Sequence, residues 1–216
     1  MAELITGLDA ARVAANLAEI REEIAATGRD PAEVEILAAV KYVALAELPV
    51  LAEAGIELLG ENRAQDLEAK AEANPGRFTW DFIGHLQSRK VRDVLPYVRY
   101  IHSVASDSAL QQLARHGTPE TEILVEVNVA GEESKSGVAP AELPGFIDRC
   151  PVRVVGLMTM PPFAEHPEAS RPHFAALREL AAEHGLRQLS MGTTQDFAVA
   201  VEEGATIVRI GQRLYR

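Results

Sequence analysis

The side chains able to do amine chemistry are few in this chain. Of its 21 basic residues, seventeen are arginine and four are lysine: Lys41, Lys70, Lys90 and Lys135. Arginine stays charged in a protein, whereas a lysine that loses its proton is a nucleophile for carbonyl carbon. Lys41 ends the apolar run Ile36-Leu37-Ala38-Ala39-Val40. Two readings fit it. One is a partly desolvated amine of lowered pKa that forms a Schiff base with an aldehyde; the other is a rim lysine reaching from a strand end to water. Lys70 stands among Asp66, Glu68 and Glu72 and reads as solvated helix surface. Lys90 follows Arg89 at a basic helix start and could meet an anion. Lys135 lies in Gly131-Glu132-Glu133-Ser134-Lys135-Ser136-Gly137, which reads as an exposed loop.

Other polar residues gather where apolar runs end. Ser190-Met191-Gly192-Thr193-Thr194 is a small turn ahead of a helical segment. Its N–H groups and hydroxyls could cradle a phosphate, or Thr193 or Thr194 could simply cap the helix. In Val208-Arg209-Ile210-Gly211-Gln212, alternation puts Arg209 and Gly211 on one strand face, opposite Val208 and Ile210. An inward arginine needs a partner or a ligand, and a glycine lets a ligand approach the backbone. Asn62, in Gly60-Glu61-Asn62-Arg63, fits a ligand contact or a helix cap. His85, in Phe82-Ile83-Gly84-His85-Leu86-Gln87-Ser88, fits an acid/base or a polar loop residue. The sequence has no HExxH, P-loop, GxGxxG or GxSxG pattern, and its six histidines have no neighbouring carboxylate cluster. No metal site is expected.

These residues must be held by a regular alternation of elements. Helical spacing of Val13, Leu17, Ile20 and Ile24 predicts a helix over 9–27, capped by Asp9 and stopped by Gly28 and Pro31. Strands are expected over 35–41, 57–61, 79–84, 100–104, 122–128, 152–158, 187–191 and 206–210. Helical segments are expected between them, over 45–54, 64–73, 88–95, 107–116, 140–148, 168–183 and 195–203. Apolar strands alternating with helices indicate a parallel sheet covered by helices. Eight repeats suggest a (β/α)8 TIM-type barrel with an extra N-terminal helix, as one domain over 1–216. No helix is expected after strand eight, a gap left to the N-terminal helix to cover. In such a barrel the functional face lies at the strand C-termini, where Lys41, Asn62, His85, Met158, Ser190 and Arg209 fall. The loops after strands seven and eight are the customary phosphate site.

Composition bounds the function classes. With 32 acidic residues and a net charge of −11, the surface is wrong for sequence-independent nucleic-acid binding. One cysteine, Cys150, leaves no intramolecular disulfide and fits a reducing cytosol, so a cytoplasmic location is expected. The first twenty residues lack a basic region followed by an apolar run, and no stretch is long and apolar enough to span a bilayer. No secretory leader and no membrane partner are expected.

Taken together, Ala39-Val40-Lys41, Gly60-Glu61-Asn62, the 82–88 and 131–137 segments, Gly156-Leu157-Met158, Ser190-Met191-Gly192 and Val208-Arg209-Ile210-Gly211 resemble the pyridoxal phosphate homeostasis proteins. That family carries the barrel of the alanine racemase N-terminal domain. The resemblance runs over nearly the whole chain and implies a (β/α)8 barrel that binds pyridoxal 5′-phosphate (PLP). It implies that Lys41 holds PLP as a Schiff base and that Arg209 faces the pyridine nitrogen. Ser190, Gly192, Gly211 and the backbone of Gln212 are implied around the phosphate, Asn62 beside the ring, and Met158 and His85 near the pocket. The chain departs from the family pattern at Tyr42, Thr193 and Gln212.

Two classes of function follow from the resemblance. One is a non-catalytic PLP carrier, monomeric, with PLP-requiring apo-enzymes as recipients. The other is a PLP-dependent racemase or decarboxylase. Three expectations favour the carrier. A cationic Arg209 opposes protonation of the pyridine nitrogen, and a protonated nitrogen is what makes the ring an electron sink. The chain ends soon after strand eight, leaving no room for the β-rich second domain of the racemase. Lys41 supplies an acid/base for one face of the ring, but no residue stands out for the other.

Overall fold

Asp9 takes an extended backbone, and its carboxylate accepts from the Arg12 N–H, opening helix α1 (Ala10–Ala26). The four apolar residues that predicted this helix, Val13, Leu17, Ile20 and Ile24, are all buried. The computed structural model describes residues 4–132 and 136–216. After α1, eight strands follow: β1 (Glu35–Ala39), β2 (Leu58–Glu61), β3 (Thr79–Phe82), β4 (Tyr100–Val104), β5 (Glu122–Glu126), β6 (Arg153–Met158), β7 (Gln188–Thr193) and β8 (Ile207–Ile210). They pair in chain order, and β8 closes the barrel on β1 in parallel register, Ala38 opposite Ile210.

The intervening helices are α2 (Leu48–Glu53), α3 (Ala64–Ala73), α4 (Val91–Val94), α5 (Asp107–His116), α6 (Leu143–Asp148), α7 (Arg171–Glu183) and α8 (Phe197–Glu202). The expected segments over 45–54, 88–95, 140–148 and 168–183 each begin as a 3-10 turn before becoming α-helical. Pro49, Pro140, Pro144, Pro167 and Pro172 sit in the first turns of three of them. There the missing N–H is harmless and the fixed φ suits a helix start. Thr193 and Thr194 do not cap α8. Its N-cap is Asp196, whose Oδ1 accepts from the Thr193 N–H and hydroxyl, and β7 itself runs on to Thr193.

The expected absence of a helix after strand eight is also corrected. Gln212–Tyr215 forms a short helix, α9, docked on α1. Asn16 Nδ2 donates to the carbonyls of Leu214 and Arg216 at 3.1 and 2.8 Å, and Arg213 pairs with Glu23.

Strand alternation sorts the interior into two compartments. Outward residues such as Ala38, Leu59, Phe82, Ile101, Val125, Leu157 and Val208 join the helices in one continuous apolar cluster. Each large member contributes about 1.5–3 kcal/mol on burial. Inside the barrel, Leu37, Leu124, Met158 and Ile207 are buried apart from that cluster, together with Asp81, His102, Glu126, Ser190 and Arg209. The barrel centre is therefore polar, and it has to be hydrogen-bonded throughout.

Candidate functional site

Lys41 emerges one residue past the last backbone pairing of β1 with β2, where the Val40 N–H donates to the Gly60 carbonyl at 3.0 Å. The backbone just before it is clamped from two sides. The Tyr215 hydroxyl donates to the Ala39 carbonyl at 3.2 Å, and Lys70 Nζ donates to the Val40 carbonyl at 2.6 Å. Lys70 was expected on the surface, but it is buried and also bonds Glu61 Oε2 at 2.6 Å. Its charged neighbours in sequence hid that it points inward: α3 turns Lys70 with Leu67 onto the sheet, where Glu61 projects outward from β2. The other oxygen of Glu61 accepts from the Asn62 N–H at 2.7 Å. On the far side of Lys41, the Tyr42 carbonyl accepts from Ile5. The backbone of Lys41 is thus fixed, while its side chain is exposed, with Nζ 4.9 Å from the centre of the Tyr42 ring.

Arg209 projects from β8 into the barrel and is nearly fully buried. Nη1 donates to the Ser190 carbonyl at 2.7 Å and its hydroxyl at 2.6 Å; Nη2 donates to the Thr159 carbonyl at 2.9 Å. Burial pushes the guanidinium down to about 10, with Asp196 and Glu126 opposing from a distance, so it remains cationic at neutral pH. Ser190 is wholly buried within β7, and its hydroxyl is also 2.8 Å from His102 Nδ1 on β4. His102 Nε2 lies 3.1 Å from Asp81 Oδ2 on β3. Arg99 donates to both Asp81 oxygens, and to both oxygens of Glu35 at the start of β1. A bonded chain therefore runs through the barrel from Glu35 to Arg209.

This chain shapes the titration of its members. Burial raises the Asp81 carboxyl, but the bonds from His102 and Arg99 outweigh it and hold Asp81 below the usual carboxylate range. For His102, burial dominates and lowers the imidazole below its ordinary 6.5, against the attraction of Asp81. The unfolded chain therefore binds this proton more readily than the folded one, so stability falls as pH drops below about 6.5. Thermal midpoints from pH 7 to pH 5 are expected to decline, with a shallower decline in His102→Asn. Equal slopes for the two proteins would contradict a neutral His102.

A cavity of about 230 Å3 opens at the C-terminal end of the barrel. Arg209, Met158, His85, His102, Glu126 and Asn128 are among its walls. His85 also borders a neighbouring hollow that contains Asn62, and Met160 one that contains Gly192. Asn62 Oδ1 is a buried oxygen that meets no donor. Gly84 permits this arrangement, since a Cβ there would collide with the Asn62 backbone. Gly192 has φ +89°, and a Cβ there would lie 2.6 Å from that of Ala200. Gly211 is open: its added Cβ would first meet Ala39 Cβ, at 4.0 Å. Its N–H donates to the Thr194 hydroxyl at 3.3 Å. Gln212 begins α9 directly after it.

The sequence-derived residues do not share one cavity: His85, Met158 and Arg209 border the one at the barrel end, Asn62 and Gly192 border separate hollows, and Lys41, Gly211 and Gln212 line none of these. Ser190 serves Arg209 and His102 through its hydroxyl from inside the sheet. Lys90 is engaged by Asp93 at 2.9 Å. Lys135 lies outside the described residues. Sequence reasoning passed over Asp81, Arg99, His102 and Tyr215, and misplaced Lys70. A signal existed for two of them: Asp81 in Thr79-Trp80-Asp81-Phe82 and His102 in Tyr100-Ile101-His102-Ser103-Val104 are polar residues in the middle of apolar strands.

The family model described as alanine racemase, N-terminal domain, matches residues 8–216. A pyridoxal phosphate homeostasis protein of Aquifex aeolicus is 38% identical over 218 residues, spanning 94% of this chain and 96% of the relative. Another, from Pseudomonas aeruginosa, is 39% identical over 216 residues, spanning 95% and 94%. Among solved structures, PipY of Synechococcus elongatus with PLP bound is similar at 30% identity and a TM-score of 0.81, over 94% of this chain and 100% of PipY.

Proposed function

Since the chain belongs to the pyridoxal phosphate homeostasis proteins, within the alanine racemase N-terminal-domain family, we propose that it binds PLP at the barrel mouth and serves cytoplasmic PLP homeostasis without turning over an amino acid. PLP presents an aldehyde, a pyridine nitrogen and a phosphate. The residues at the mouth fit all three: an exposed amine on a fixed backbone at Lys41, a buried cation at Arg209, and glycine backbone at Gly192 and Gly211 beside Gln212. Asn62 Oδ1, a buried acceptor without a donor among the described residues, is a further group that a ligand could satisfy. Lys41 Nζ adds to the aldehyde carbon and water leaves, which anchors PLP as a Schiff base. Met158 and His85 form walls of the adjoining cavity.

The observation that carries the non-catalytic reading is Arg209. When bound, PLP can act as an electron sink for amino-acid carbanions, and that role is strongest with a protonated ring nitrogen. A cation against the nitrogen disfavours that proton. Arg209 is held by two carbonyls and a hydroxyl, none of them a carboxylate that would neutralise it. The test is to mix PLP-loaded protein with a PLP-requiring apo-enzyme and compare its reactivation with that by free PLP. Faster or protected reactivation is expected, with no turnover of alanine, ornithine or lysine by the protein alone. Steady turnover that Lys41→Ala abolishes would replace the carrier with the racemase or decarboxylase reading.

A further inference from the structure

Behind Arg209 stands a chain of buried groups that cofactor binding does not itself require. Ser190 Oγ is 2.6 Å from Arg209 Nη1 and 2.8 Å from His102 Nδ1. A guanidinium only donates, so Ser190 accepts from Arg209. Asp81, held ionised, only accepts, so the imidazole proton sits on Nε2 and is donated to it. A neutral His102 then presents a bare Nδ1, which receives the Ser190 hydroxyl proton. Asp81 is itself held by Arg99 and by the Tyr100 N–H at 3.2 Å. Ser190, His102 and Asp81 have the connectivity of a nucleophilic triad, with the ring nitrogens exchanged. Ser190 is wholly buried, however, and Arg209 occupies one of its two lone pairs. The chain orients; it does not attack.

We infer that His102, as the neutral Nε2–H tautomer, is a positioning residue for Arg209: it turns the Ser190 hydroxyl so that a lone pair faces the guanidinium, and so fixes the cation that the PLP ring meets. This rests on the proposed PLP site for the ligand it serves. A protonated His102 would donate to Ser190 instead, and the hydroxyl proton would lose the acceptor that fixes its direction. An apolar side chain would leave the hydroxyl free to rotate. Burial of His102 without exposure, and the two arginines at either end of the chain, all favour the neutral ring.

The test uses His102→Leu, Ser190→Ala, the double variant and His102→Asn, each checked for native near-UV circular dichroism. Ser190→Ala removes one oxygen and keeps the fold accessible should His102→Leu fail. PLP titration is expected to show about tenfold weaker binding in each single variant, the size of one lost charge-assisted hydrogen bond. The double variant should lose no more than the worse single one, because both break the same link. His102→Asn, whose amide oxygen can replace Nδ1 as acceptor, should recover most of the affinity, and the pH midpoint of the visible PLP band should follow the same order. Additive losses, or wild-type affinity and band in Ser190→Ala, would overturn the inference. If wild-type protein takes up no PLP, the functional reading falls by itself, and imidazole nitrogen resonances of the free protein decide the positioning role. A neutral Nε2–H ring that responds to Ser190→Ala supports it; an Nδ1–H or charged ring refutes it.

Discussion

Lys41→Ala is expected to abolish the borohydride-reducible attachment of PLP and its visible absorbance while leaving the fold intact. The side chain is exposed, so its removal opens no cavity. The bonds that shape the local backbone run through the Ala39, Val40 and Tyr42 carbonyls and survive the substitution. The other described lysines are poor substitutes. Lys70 Nζ is committed to Glu61 and the Val40 carbonyl inside the protein, and Lys90 to Asp93. Reduction followed by peptide mapping is therefore expected to label Lys41 and no other lysine. Non-covalent contacts at Arg209 and the glycines remain, so weak, reversible PLP binding should persist, at least about tenfold looser than in the wild type. A reduced adduct on Lys70, Lys90 or Lys135 would refute the assignment.

A second large effect is expected from Lys70→Met. Glu61 is fully buried, and in this variant its carboxylate would keep, among the described residues, only the Asn62 N–H as a hydrogen-bond partner. Stranding one half of a buried ion pair costs about 3–5 kcal/mol. For a chain of this length that corresponds to a fall in thermal midpoint of roughly 6–20 °C. The variant also removes one of two donors to the Val40 carbonyl next to Lys41, leaving the Val43 N–H at 3.0 Å, so PLP retention should weaken in the protein that still folds. Adding Glu61→Leu should restore much of the stability, since paired apolar replacement removes the stranded charge. Restoration of the Lys41 clamp is not expected, because the side chain left by Lys70→Met donates nothing to the Val40 carbonyl. A loss below about 1 kcal/mol, the value of an exposed pair, would contradict the buried geometry.

These two lysines show where sequence reasoning carries and where it stops. Lys41 was legible because an apolar run that ends in lysine marks a strand terminus, and in a parallel barrel every such terminus faces the same end. Lys70 was not, since acidic neighbours at helical spacing describe the solvated face of α3 equally well. Only the docking of α3 against the outward side chain of Glu61 reveals which way Lys70 points. Tyr215 was missed for a similar reason: it acts through α9, and four residues hold no periodic signal of their own.

By itself, the sequence determined the alternation of eight strands with helices, the barrel they form and the inward face of Arg209, but not the closing helix α9. Those follow from local periodicity, and strand alternation carries each side chain inward or outward over short distances. The tertiary structure alone decided which buried groups pair. Asp81, His102, Ser190 and Arg209 come from four different strands and meet only when the barrel closes. Hydrogen bonds depend on distances of tenths of an ångström between elements far apart in the chain, and no spacing along a sequence encodes them. Lys41 could be singled out from the chain; the buried partners that hold Lys70 and Arg209 could not.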